Sequence, residues 1–190
     1  MKRSSSKPFN YAKAIKAAEA DRALAPKKPL KKIARRRSPI AGWGVFALEP
    51  ISKNSRIVDY AGKVITWKES DRREERQTAS GCIWCFVLRW KRLCVDAEVG
   101  GNIARFINHA CKPNCYTQVI DNIIWVRAAR YIKKGEELSY DYETGGGADI
   151  QCMSSATRCR ATTRTRCSRT PRPAIPRSLQ RSRRRSTSPC

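Results

Sequence analysis

Between Gly44 and Tyr142 the chain divides its apolar residues into short runs, each closed by turn-forming residues. GVFAL (44–48), RIVDYAGKVI (56–65), CIWCFVLRW (82–90), LCVDA (93–97), TQVIDNIIWVRAA (117–129) and ELSYDY (137–142) are rich in β-branched and aromatic residues. Runs this short and this close together read as strands of several small sheets, a mainly β, β-rich α+β class. Two helices are expected between them, at TWKESDRREERQ (66–77) and GNIARFINH (101–109). No internal repeat is visible.

Charge sets where this core can lie. The formal net charge is +24, but residues 41–150 nearly balance, with 16 basic against 14 acidic residues. The excess sits at the two ends: 13 Lys/Arg against 2 acids in residues 1–40, and 11 Arg with no acid in residues 151–190. Such ends repel themselves and bury little, so they are expected to be disordered basic arms. One helix is expected inside the first, around YAKAIKAAEADRALA (11–25), ending at Pro26. Polyanions are their natural partners: nucleic acid, or an acidic protein or membrane surface.

No apolar run reaches the length of a membrane span, and MKRSSSKPFNYAK lacks the apolar stretch of a secretory leader. An intracellular, reducing setting is therefore expected. There the nine cysteines read as buried thiols or metal ligands rather than disulfides.

The motifs exclude several chemistries. One histidine, His109, cannot supply HExxH, and neither a GxSxG elbow nor a P-loop is present. A His109–Cys111 nucleophilic pair lacks an evident orienting acid, and as a zinc half-site the two are incomplete. Three segments are unusual together: AGWGVFA (41–47), with glycines flanking a tryptophan before a strand, ARFINHACKPN (104–114), and GEELSYDY (135–142), with Tyr140 and Tyr142 on one strand face.

GWG, DYAGKVI, ARFINHACKPN and GEELSYDY, in this order and spacing, resemble the SET domain of protein lysine methyltransferases. The resemblance runs from about Arg36 to Arg160. It implies the SET fold of small sheets with a C-terminal pseudoknot, and S-adenosylmethionine as cofactor with a protein lysine as methyl acceptor. By the same resemblance Gly42, Trp43 and Gly44 lie along the cofactor, and Arg105, Phe106, Asn108 and His109 contact it. The amide of Asn108, the imidazole of His109 and their main-chain groups are expected to serve its adenine and amino-acid ends. Tyr142 matches the catalytic tyrosine, and Tyr60 helps line the lysine channel. Tyr140 stands where the family carries Tyr or Phe, and a tyrosine there accompanies mono-methylation. Trp84 occupies a position that is usually tyrosine; its indole can pack on the cofactor without the phenol's hydrogen bond.

Relatives also carry three cysteines, Cys-x-Cys-x4-Cys, that bind zinc with the cysteine of the NH-x-C motif. The match here is Cys111, Cys152 and Cys159, with Ser154 at the middle position. Water, Cys115 or Cys167 would have to complete the tetrahedron. The expected organisation is a basic arm over 1–35, the SET domain over 36–144, a degenerate cysteine segment over 145–160 and an Arg/Ser/Thr/Pro-rich tail over 161–190. That tail reads equally as a nucleic-acid arm or as a frame-shifted end.

The resulting expectation is an S-adenosylmethionine-dependent protein-lysine methyltransferase, mainly mono-methylating, acting on a histone-like, ribosomal or other nucleic-acid-associated protein. Its place would be nuclear or chromosomal in a eukaryote, and cytoplasmic or nucleoid-associated in a bacterium. The alternative is a catalytically weak domain that binds nucleic acid through its basic arms.

Overall fold

Asn10 opens the first element of the fold. Its side chain accepts a hydrogen bond from Lys13 N at 2.9 Å and so caps helix α1 (Tyr11–Ala23). The computed structural model describes residues 9–80, 85–88 and 92–142. The helix is mostly polar, but Ala14, Ile15 and Ala18 form one stripe that packs on the core. After it comes β1 (Ile33–Arg37), antiparallel to β2 (Trp43–Ala47). A disordered arm over 1–35 is therefore not what the described part shows. The three arginines of β1 stay exposed while its ladder and the stripe on α1 hold the segment down.

The run RIVDYAGKVI is two strands, not one. β3 (Arg56–Asp59) and β4 (Lys63–Thr66) belong to different sheets, and the chain turns between them at Gly62. Gly62 has φ +157°, and a Cβ there would lie 2.4 Å from Asp96 O, so only glycine lets the chain pass. Helix α2 (Trp67–Ser80) follows β4, with Thr66 Oγ1 accepting from Glu69 N at 3.3 Å. Arg73 of α2 bonds both Glu69 and the buried Asp96, which ties the helix to the sheet below. That sheet has the order β4–β6–β5, with β5 at Cys85–Leu88 and β6 at Leu93–Asp96.

The expected second helix is a single 3-10 turn (Ile103–Phe106), leading into β7 (Asn108–His109). The long run 117–129 is a hairpin of β8 (Cys115–Ile120) and β9 (Ile123–Ala128). Asp121 and Asn122 form its two-residue turn with φ +50° and +60°, the left-handed pair that matches strand twist. β9 also pairs with β3. Finally β10 (Ser139–Tyr140) lies parallel to β7, with Tyr140 opposite His109.

Val45, Ile57, Leu93, Val95, Ile107, Ile124, Val126 and Leu138 bring all these sheets onto one buried cluster. The mainly β class expected from the apolar runs is the class the chain adopts. No described helix is long and apolar enough to cross a membrane.

Candidate active site

The segment before β10 is laced to two distant parts of the chain. Leu138 N donates to Val45 O at 2.7 Å and Ala47 N to Glu136 O at 2.9 Å, so this segment runs along the edge of β2. Asn114 holds it from the other side. Its Nδ2 donates to Glu137 O at 2.7 Å and to Glu136 Oε1 at 3.0 Å, while its Oδ1 accepts from Ser139 N at 2.9 Å. With main-chain bonds on one side and a buried amide on the other, the position of β10 is fixed.

Beyond Ser139 the chain delivers the two tyrosines. Tyr140 and Tyr142 have ring centroids 5.0 Å apart, and Tyr142 meets the His109 ring edge-on at 5.4 Å. Tyr140 and Tyr60 are buried in the same core cluster, and Tyr142 packs against it half-buried. The Tyr142 hydroxyl donates to Ile107 O at 2.7 Å. Burial raises the phenol of Tyr142 above its ordinary value. Tyr140 rises too, from burial first and then from Tyr60 and Tyr142 beside it. Both are neutral hydroxyls at physiological pH, and Tyr142 acts as a donor rather than a base.

His109 turns its ring toward this segment. Tyr142 N donates to Nδ1 at 3.3 Å, which places the ring proton on Nε2, 3.5 Å from Cys111 Sγ. Burial lowers the pKa of His109, although Asp141 opposes this, so the ring is neutral. The structure thus supplies both a contact and a nearby acid for the His109–Cys111 pair, with Asp141 Oδ1 at 3.7 Å from Nδ1. The tautomer is the wrong one. A thiol nucleophile needs Nε2 free to accept its proton, and here Nδ1 is the acceptor. The imidazole positions Tyr142 instead.

Asn108 joins GWG to the C-terminal segment. Its Nδ2 donates to Trp43 O at 3.0 Å, to Glu137 Oε1 at 2.8 Å and toward Ser38 Oγ at 3.1 Å. Ser38 Oγ also donates to Glu137 Oε1 at 2.7 Å. Gly44 makes room for this cluster, since a Cβ there would sit 2.1 Å from Glu137 Oε1. Beside it, Arg35 and Arg37 lie over the Trp43 ring at 4.5 and 4.3 Å, and Arg35 and Arg105 lie over Phe106 at 4.6 and 4.9 Å. Gly42 has open space where a side chain would be.

Gly42, Trp43, Gly44, Arg105, Phe106, Asn108, His109, Tyr140 and Tyr142 are thus linked through strands β2, β7 and β10. Tyr60 reaches the cluster from the end of β3, its N donating to Ile124 O at 2.7 Å. Trp84, Cys152 and Cys159, with Ser154 and Cys167, lie outside the described residues. Among the described residues no group of three metal-ligating side chains occurs. The Cys115 thiol is fully buried, bonds Asn114 Oδ1 at 3.4 Å and is pushed by burial up to about 12.

Ser38, Asn102, Asn114 and Glu137 were not singled out by sequence reasoning. Glu137 and Asn114 sit inside GEEL and KPN, where their signal was present. Ser38 and Asn102 carried none, because their partners are remote in the chain.

A family model described as "SET domain" matches residues 42–143, more than half of the chain. "Histone-lysine N-methyltransferase set1" of Dictyostelium discoideum is 38% identical over 138 residues, covering 70% of this chain and 9% of that protein. "Histone-lysine N-methyltransferase, H3 lysine-4 specific" of Schizosaccharomyces pombe is 40% identical over 129 residues, 65% of this chain and 14% of that protein. The chain thus spans a small part of the relatives it matches. A solved structure, "ctPRC2 in an autoinhibited conformation bound to S-adenosylmethionine", superposes with a TM-score of 0.55 at 31% identity, covering 60% of this chain and 15% of that one.

Proposed function

The chain belongs to the SET-domain family, and on that premise we propose that it transfers a methyl group from S-adenosylmethionine to a protein lysine. The observation that carries the proposal is the convergence of Tyr140, Tyr142 and His109 on the β7–β10 pair, which Asn108 ties to Gly42-Trp43-Gly44. The half-buried rings of His109 and Tyr142 suit an adenine and a sulfonium, with Trp43 and Phe106 beside them under their arginines. The residues that would hold the cofactor are Gly42, Trp43, Gly44, Trp84, Arg105, Phe106, Asn108 and His109. When bound, S-adenosylmethionine supplies an electrophilic methyl group on a positively charged sulfur.

The chain's own task is alignment. Tyr60 and Tyr140 wall the lysine side with buried phenols, and Tyr142 is locked by its bond to Ile107 O. An incoming ammonium ordinarily titrates at about 10.4 and has to lose its proton before it can attack. Tyr142 is held protonated and is itself a donor, so the proton leaves before the amine is enclosed. What the site then provides is exclusion of water and a fixed line of approach.

Finer features belong to the same proposal. The Tyr140 hydroxyl can hold a water in the space that a further methyl group would need, so the product is mainly mono-methyl lysine. Cys111, a buried thiol facing the Nε2 proton of His109, would hold zinc together with Cys152 and Cys159. The substrate is a histone-like or other nucleic-acid-associated protein, reached at chromatin or the nucleoid. The basic ends, with Arg35, Arg36 and Arg37 exposed on β1, draw the chain to nucleic acid.

Calorimetric titration of S-adenosylmethionine tests the reading. Micromolar binding is expected in the wild type and in Tyr142→Phe, which keeps the ring against His109. Absence of binding by folded protein overturns it.

A further inference from the structure

Helix α1 lies before the residues matched by the family model, yet its last turn reaches the lysine side of the proposed site. Arg22 Nη2 donates to Tyr60 O at 2.6 Å, and Nη1 approaches Asn122 O at 3.5 Å. Next to it, Asp21 accepts a hydrogen bond from Asn122 Nδ2, which fixes the end of α1 to the β8–β9 turn. Tyr60 stands one residue beyond β3, so a side chain from elsewhere, rather than a strand neighbour, holds its carbonyl. Its amide is bound to Ile124 O, and the preceding carbonyl, of Asp59, accepts from Asn102 Nδ2 at 2.8 Å. The turn that carries the Tyr60 ring is therefore pinned at three main-chain atoms, one of them by Arg22.

An arginine is an expensive choice for that task. Burial lowers the pKa of Arg22, and Asp59 and Tyr60 only partly offset the effect. The carboxyl of Asp59 is raised in turn, by burial first, against its own main-chain bond, Arg22 and Asn102. A half-buried charge whose fork reaches the carbonyls of two separate turns, Tyr60 O at 2.6 Å and Asn122 O at 3.5 Å, fits a geometric constraint better than a gain in stability.

We propose that Arg22 is a positioning residue for lysine binding, setting the Tyr60 wall of the channel from an N-terminal helix outside the matched domain. The proposal rests on Tyr60 lining that channel. It implies that the domain needs α1 to hold its acceptor side in register, and that residues 42–143 alone bind lysine loosely. Lysine peptides should feel the loss of Arg22, while S-adenosylmethionine, on the GWG side, should not.

The test compares wild type, Arg22→Met and Arg22→Lys in the full chain. Readouts are methyl transfer to a lysine peptide, S-adenosylmethionine binding by calorimetry, and amide exchange over residues 57–62. Arg22→Met should raise the peptide KM about tenfold or more. Cofactor affinity should stay within twofold, and exchange at 57–62 should accelerate. Arg22→Lys keeps one donor for Tyr60 O and should recover part of the KM. It also serves as the test variant if Arg22→Met does not fold. An unchanged KM and unchanged exchange in a folded variant overturn the proposal. So does a loss that falls on kcat, cofactor affinity and thermal stability alike, the mark of a purely structural role. A wild type that binds no S-adenosylmethionine and methylates no peptide refutes the proposed function instead. The exchange readout still decides whether Arg22 fixes the Tyr60 turn.

Discussion

Replacing Asn114 with alanine should cost more stability than any other single polar change near the site. Asn114 is 2% exposed and makes three side-chain bonds to the segment that carries β10. In Asn114→Ala the Ser139 N–H and the Glu137 carbonyl lose their partners. Leaving a buried polar group unsatisfied costs about 1–3 kcal/mol. Two such groups give about 2–6 kcal/mol, and a water entering the vacated space brings the expectation to about 3 kcal/mol. A domain of this size is stable by about 5–15 kcal/mol, so the variant should still fold. In urea unfolding followed by circular dichroism the midpoint should fall by roughly 2 M with an unchanged slope. Methyl transfer should fall as well, because Tyr140 and Tyr142 follow directly after the freed segment. A stability loss below about 1 kcal/mol would show that β2 alone fixes β10 and would refute the reasoning.

Other perturbations probe the rest of the site. Gly44→Ala places a methyl group against Glu137, which Asn108 and Ser38 hold in place. It should destabilise by about 1–3 kcal/mol and weaken S-adenosylmethionine affinity about tenfold or more, as calorimetry would show. If the Tyr140 hydroxyl limits methylation as proposed, mass spectrometry of Tyr140→Phe should find more di- and tri-methyl lysine. Dominant trimethylation by the wild type would contradict the assignment. Burial raises the Glu136 carboxyl, but Arg130, Asn114 and Lys133 N together hold it below its ordinary 4.5. The stability it contributes is thus present above that value and is lost as pH falls through the folded-state pKa. The urea midpoints of wild type and Glu136→Gln should converge on acidification; a gap independent of pH would exclude this role.

Much of the core was legible because its signals are local. The motif segments placed GWG, NH and YDY in one site, and the apolar runs marked the strands. The hairpin at Asp121-Asn122 lacked the glycine that usually announces such a turn, and the run 56–65 hid its break at Gly62 among strand formers. The errors in the first arm have a common physical cause. β1 is a strand whose three arginines face solvent or lie over Trp43 and Phe106, so charge masked its pairing. Helix α1 docks through only Ala14, Ile15 and Ala18, a stripe too short for an apolar periodicity to reveal. The Ser38–Asn108–Glu137 and Arg22–Tyr60 contacts join residues 29 to 99 positions apart, and no spacing rule connects them.

The most direct test of methyl transfer is mass spectrometry of a histone mixture incubated with the chain and S-adenosylmethionine, using wild type and Tyr142→Phe in parallel. Methyl groups are expected on lysine, mainly single, with a rate about 100-fold or more lower in Tyr142→Phe. Equal lysine methylation by wild type and Tyr142→Phe, or none by folded wild type that binds the cofactor, would contradict this expectation.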